Sequence, residues 1–403
     1  MKKMNTDHRK VNKTIRFNDQ NGDPLTGRKI HISQKNHSFL FGCGAFDFIP
    51  YVKKGEEKYK QLTDSWLEIF NYATLPFYWG MYEPEEGKDD RDTLMKTAGY
   101  LNDKGVKAKG HPLCWHTACA DWLMNYDNKT IMKKQLERIE REVSLFKGVI
   151  DMWDVINEVV IMPVFDKYDN AVTRICKEKG RVGLIKEVFA KAHESNPDAI
   201  LLLNDFNTSI DYEILIDGCL NANVPISAIG IQSHQHQGYW GKEKLEEVLD
   251  RFSSFGLPIH FTENTLISGD IMPSYIEDLN DWQVDEWPTT PEGEERQARE
   301  IEEMYRILFS HPLVEAVTTW DYRDGAWLKA PSGFVRLDNS KKPSFEALKK
   351  LVKEEWWTDT DVVTDENGIA RVEAFKGDHR ISCDSLCADA ALVDDAEQTI
   401  VLG

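Results

Sequence analysis

No apolar run in these 403 residues approaches the roughly 20 that a membrane helix needs, so no membrane span is expected. Positive charge is scarce: 49 Lys and Arg stand against 68 Asp and Glu, for a formal charge of −19, and no Lys/Arg stripe interleaves with aromatics. Phosphate binding relies on basic patches that release counterions, so no nucleic-acid partner is expected and a neutral ligand fits better. The seven cysteines, at 43, 114, 119, 176, 219, 383 and 387, form no CxxC pair and no even disulfide framework, which favours a reducing compartment. Cys383 and Cys387, in CDSLC, read as an ordinary pair of thiols. Behind the basic start MKKMNTDHRKVNKTIRF there is no apolar core of a secretory leader. The expectation is a cytoplasmic protein, or a secreted one whose signal has been removed.

What is present is alternation. From residue 38 to 353, short apolar runs alternate with segments of helical period, the mark of repeated βα units. Eight strands are expected: 39–44, 71–77, 106–111, 149–157, 199–205, 227–233, 257–263 and 315–320. Between them, Leu136, Ile139, Val143 and Phe146 share one helical face, as do Ile301, Met304, Tyr305 and Leu308. Eight such units point to an α/β fold, a closed (β/α)8 barrel, and the lack of a helix-opening GxGxxG counts against an open dinucleotide-binding sheet.

The two ends differ from the middle. Residues 14–33 and 362–383 read as alternating strands separated by Asn-Gly and Gly-Asp turns. They are expected to pair into one small β-sandwich-like unit, 9–37 plus 358–403, beside a 38–353 barrel, with EEWWTDTD (354–361) as the junction.

In a barrel the site lies at the C-terminal strand ends, so the polar residues that end each run form the candidate set. The fourth strand ends in INE and the seventh in TEN, which sets Glu158 and Glu263 across the mouth from each other. Two carboxyls so placed suit cleavage of a glycosidic bond: one holds a proton for the leaving oxygen, the other is ionised. Asn157 would then face a substrate hydroxyl. A single strand-end Glu can equally be a rim ion pair, and a Trp can be plain core. Histidines 111, 116, 234 and 236 with Cys114 raise a metal site, but neither HPLCWH nor HQH has a zinc spacing, so no metal and no cofactor is expected.

In order along the chain, FLFGCGAF, YEPEEG, GHPLCWH, WDVINE, LLLNDFN, GIQSH, HFTEN and WDYRDGAW resemble glycoside hydrolase family 10, whose best-known members are endo-β-1,4-xylanases. The resemblance runs from about Phe39 to Val352. It implies a retaining hydrolase of xylan or xylo-oligosaccharides, with Glu158 as acid/base and Glu263 as nucleophile. It further implies His234 as hydrogen-bond partner of the nucleophile, and Asn157 on the sugar 2-hydroxyl. His111 and Trp115 would lie beside that sugar, with Trp320 and Trp327 as an aromatic wall and Asn204 and Gln232 lining the cleft. The partner expected is thus a carbohydrate; the oligomeric state stays open.

Departures from the family pattern are local. Where members read ENxMKW before the EP..G motif, this chain has Leu75 for the Asn and Tyr78 for the Lys. A phenol ring in place of an ammonium removes a point charge and adds a stacking surface, so another plant β-glycoside or a decorated oligosaccharide is the alternative substrate. Asn264 and Thr265 follow the nucleophile in place of Leu-Asp, and Asp321 replaces the glycine after the strand-eight Trp. The stretch of about 30 residues after Glu263 is long for a loop, and Trp282 and Trp287, with Trp240, would either extend the cleft or pin the loop down.

Overall fold

A computed structural model describes residues 5–403. Two strands, β1 (Lys10–Asn18) and β2 (Lys29–His37), precede the barrel. Eight parallel strands then close on themselves: β3 (Leu40–Gly44), β4 (Tyr72–Pro76), β5 (Lys107–His111), β6 (Met152–Asn157), β7 (Ile200–Asp205), β8 (Ala228–Gln235), β9 (Ile259–Leu266) and β10 (Val314–Thr319). Each expected strand is there, with β9 running three residues further than its apolar pattern because Asn264 and Thr265 are also buried.

The strands are apolar because they are covered twice, by the barrel interior and by helices outside. Every residue of β3, β6 and β9 is buried. The helices Asn128–Leu145 and Pro291–Ser310 turn their apolar stripes inward, and Asp127 and Thr290 cap them by accepting from the backbone N–H of Thr130 and Gly293. At the N-terminal end of the barrel Leu40, Tyr72, Met152, Leu202, Ala228 and Ala316 form a plug that leaves the opposite mouth for polar groups. Gly110 allows β5 to approach Trp153 of β6; a Cβ there would lie 2.1 Å from the indole.

Two further sheets are built from both ends of the chain. β12 (Ile369–Phe375), β1 and β15 (Gln398–Val401) form one; β11 (Asp359–Val363), β2, β13 (Gly377–Cys383) and β14 (Leu386–Leu392) form the other. Val11, Ile15, Phe17, Ile30, Ile32, Val372 and Ile381 are among the side chains packed between them. The Asn-Gly turns after β1 and after β11, and the Gly-Asp turn after β12, do not close hairpins. β1 and β2 go to different sheets, as do β12 and β13, because each finds its hydrogen-bond partner at the other end of the chain.

This unit is clamped to the barrel floor. Arg9 donates to the carbonyls of Phe309, His311 and Val314, and its guanidinium lies 4.7 Å from the Phe39 ring centre. At the junction, Trp356 stacks on Phe309 with ring centres 4.1 Å apart. All seven cysteines are free thiols. No helix of the described residues is long and apolar enough to cross a membrane.

The long segment after β9 folds onto the barrel rather than standing free. Ile267, Met272, Trp287 and Ala330 make a small core of their own, with Trp282 against it, and the Trp287 indole donates to the Asp270 carbonyl at 2.8 Å. Trp240 also packs on the main core. Of the two roles expected for these three indoles, pinning is the one their packing supports.

Candidate active site

Glu158 is the first residue past β6, and its backbone is left-handed, with φ 55°. A side chain other than glycine pays about 1–2 kcal/mol for that conformation, which is held by the Glu158 N–H donating to the Asn204 carbonyl at 2.9 Å and the Asn157 N–H to Cys114 at 2.9 Å. The kink directs the carboxyl into the barrel mouth. There Trp115 Nε1 donates to Oε2 at 2.8 Å, while Asn157 Nδ2 and Gln232 Nε2 approach Oε1 at 3.3 Å.

Glu263 lies on β9, buried at 4% exposure. Asn204 Nδ2 donates to its Oε1 at 2.9 Å, and His234 Nε2 is 3.1 Å from its Oε2. His111 Nε2 stands 3.8 Å from Oε1. The two carboxyls are joined by a chain of amides: Asn204 Nδ2 and Gln232 Nε2 both donate to Asn157 Oδ1, at 2.7 and 3.0 Å, and Thr262 Oγ1 donates to Asn204 Oδ1 at 2.6 Å.

The same functional group meets opposite fields. Burial, then the charge of Glu263, pushes the Glu158 carboxyl up to about 8, against the pull of the Trp115 hydrogen bond. Burial also works to raise Glu263, but the fields of His111 and His234, with that of Lys109, outweigh it and hold that carboxyl below its ordinary value. Asp205, at the end of β7, is raised to about 6 by burial despite accepting from the backbone of Val160 and Asn207, and it adds to the upward push on Glu158.

Beneath the site lies a buried ion pair that the strand pattern had not singled out. Lys109 Nζ is 2.6 Å from Asp154 Oδ2, which His111 Nδ1 also meets at 2.7 Å. Asp154 is held below its ordinary value by Lys109 and His111 in spite of burial. With the Asp154 carboxylate as acceptor, His111 Nδ1 is the donor of that contact and the ring turns its Nε2 edge toward Glu263. A register shift between Asp154 and Ile156 lets Asp154 and Asn157, three residues apart, both serve the interior. Charged Lys and Asp within apolar strands were the signal available for them.

Aromatic rings close the other side. Tyr78 lies 5.8 Å from His111 and 5.6 Å from Trp115 between ring centres. Trp320 is 5.2 Å from His111, and Trp327 is 4.7 Å from His234. All eleven residues singled out in the sequence therefore meet at one mouth. Leu75 does not: it is fully buried in the main core, so of the two departures before the EP..G motif only Tyr78 reaches the site. Asp321 is buried next to Trp320, bonded by Ser332 Oγ at 2.5 Å and pushed up to about 7 by burial. Among the described residues no group of three or more His, Cys, Asp or Glu is placed to hold a metal ion. His116 packs on Phe165 and His236 on Trp327.

Comparison with known families matches residues 56–351 to glycosyl hydrolase family 10. A β-1,4-xylanase of Dictyoglomus thermophilum is 28% identical over 337 residues, 75% of this chain and 91% of the relative. An endo-1,4-β-xylanase/feruloyl esterase of Xylanibacter ruminicola is 26% identical over 68% of this chain, and the anti-sigma-I factor RsgI6 of Acetivibrio thermocellus 24% identical over 93%. This chain spans only 40% and 45% of those two proteins. Among solved structures, xylanase 10B of Thermotoga petrophila in complex with xylobiose superposes with a TM-score of 0.63 at 21% identity, over 79% of this chain and 95% of the other. At that identity the likeness speaks for the barrel alone. The family match covers seven of the eight barrel strands, β4 to β10, with Glu158 and Glu263 inside it, and by it the chain belongs to glycosyl hydrolase family 10.

Proposed function

We propose that the protein is a retaining β-glycoside hydrolase that cleaves β-1,4-xylosidic bonds in xylan or xylo-oligosaccharides by double displacement. The observation that carries this reading is the split between the two carboxyls, Glu158 pushed up to about 8 and Glu263 held low, across one barrel mouth. Glu263 Oε attacks the anomeric carbon while Glu158 gives its proton to the departing glycosidic oxygen, leaving a covalent glycosyl–enzyme. Glu158, now ionised, takes a proton from water, which attacks the same carbon and frees Glu263. Asn157, oriented by Asn204 and Gln232, is the partner for the sugar 2-hydroxyl; His234 keeps Glu263 ionised, and Trp320, Trp327 and Tyr78 offer flat faces to the apolar C–H face of a sugar ring. Relatives whose names describe xylanases support the choice of substrate.

Tyr78 favours a second substrate reading, in which the mechanism is kept and the ring selects a decorated oligosaccharide or another plant β-glycoside. Products released from plain and decorated xylans, xylo-oligosaccharides and aryl β-glycosides separate the two, with the first-formed anomer followed by proton NMR. Short xylo-oligosaccharides of retained configuration are expected. Inverted products would remove the double displacement, and silence on xylan beside cleavage of a decorated glycoside would select the second substrate. In the same assays Glu263→Ala is expected to lose roughly 10⁴-fold or more in turnover. Near-normal turnover would dismiss it as nucleophile.

A further inference from the structure

The barrel order divides the mouth unevenly. Between β6, which ends at Glu158, and β9, which carries Glu263, lie only β7 and β8 on one side; β10, β3, β4 and β5 lie on the other. Tyr78, His111 and Trp320 all follow or end strands of the four-strand side, so the rings that would hold the glycone are there. With the glycone against those rings, the leaving-group side of a sugar chain falls over β7 and β8, between the loops that follow β6 and β9.

Those two loops touch. Lys167, nine residues beyond Glu158, places its ammonium 2.6 Å from Asp278 and 2.8 Å from Asp281 in the segment that follows Glu263. The same segment is tied down over the end of β8, where Gln237 Nε2 donates to the carbonyls of Pro273 and Ile276 at 3.1 and 2.6 Å. Its far end rests on the loop after β10, where Lys329 Nζ donates to the carbonyls of Val284 and Asp285. The result is a continuous strap across the two-strand side, anchored by its own apolar core.

We propose that this strap closes the leaving-group side of the cleft, so that the enzyme accepts short leaving groups and cuts near chain ends rather than within a polymer. The inference rests on the hydrolase reading above and adds to it the size of the leaving group. Since Lys167 and Asp281 keep substantial side-chain exposure, at 43% and 64%, the clasp is a surface ion pair that a charge change can open without disturbing the fold.

The test compares the wild-type enzyme with Lys167→Glu, which sets three carboxylates against one another at the clasp. Two rates are read: hydrolysis of an aryl β-xylobioside, and the fall in viscosity of soluble xylan per reducing end released. The wild type is expected to hydrolyse the aryl glycoside readily while thinning the polymer little per bond cut. Lys167→Glu is expected to raise thinning per bond about two- to fivefold, the range by which exposed ion pairs shift an equilibrium, with the aryl rate kept within about twofold. A wild type that already thins xylan steeply, or a variant with an unchanged ratio, overturns the strap and leaves the hydrolase reading standing. Hydrolysis of no β-glycoside at all by the wild type overturns both.

Discussion

Glu158 and Glu263 are chemically the same side chain, and the work of telling them apart falls to their neighbours. In the proposed mechanism Glu158 acts in its protonated form, so kcat/KM is expected to be level through neutral pH and to fall about tenfold per pH unit above about 8, with the acid limb set by Glu263. A pH profile on an aryl β-xylobioside checks this. Glu158→Gln should lose the alkaline limb on a substrate whose leaving group needs no proton; a limb that persists would assign it to another group. Tyr78 has no such support from a mechanism, only from its position against His111 and Trp115. Tyr78→Lys is expected to change the ratio of kcat/KM between plain and decorated oligosaccharides by roughly tenfold, the scale of one lost or gained stacking contact, and to leave the thermal midpoint nearly unmoved. An unchanged ratio would show the phenol to be a spectator.

At the scale of elements, the strand ends were legible in the sequence because chemistry interrupts apolar patterns there: INE and TEN put amides and carboxyls into runs that are otherwise apolar. Lys109 and Asp154 were harder to see, being inside strands β5 and β6 rather than at their ends, and joined only when the two strands lie side by side. The bulge that brings Asp154 and Asn157 to the same interior is likewise invisible to a period-two reading. Asp154→Asn leaves the Lys109 ammonium buried without its counter-charge and is expected to cost about 3–5 kcal/mol in chemical denaturation. Lys109→Met combined with it should recover most of that stability but not the activity, since the neutral amide is a weaker acceptor for His111 than the carboxylate it replaces. Recovery of both would make the pair purely structural.

For the whole molecule, the barrel and the double-ended β unit share one apolar seam, in which Trp356 and Phe309 stack and Arg9 satisfies carbonyls at the end of the last long helix. The pairing of the two ends was expected from their similar alternation, whereas their distribution over two sheets depends on which partner each edge meets and has no local signature. Trp356→Ala should remove about 3–5 kcal/mol from the seam and split thermal unfolding into two transitions by calorimetry. A single transition, merely shifted, would mean that the remaining contacts keep the two parts cooperative.

The sheets that join the ends also impose an order in time. β1 pairs with β12 and β15, so once made it waits for more than 350 residues to follow before it has a neighbour: Ile15 meets Ala370 and Gln398. At 5–20 residues per second that wait is roughly twenty seconds to over a minute. During it, Val11, Ile15 and Phe17 have no sheet to lie in, while the barrel strands, each beside its sequence neighbour, can assemble as they emerge. β1 and β2 are thus held in reserve, and a chain stalled before β11 and β12 carries unpaired apolar edges that chaperones or proteases can recognise.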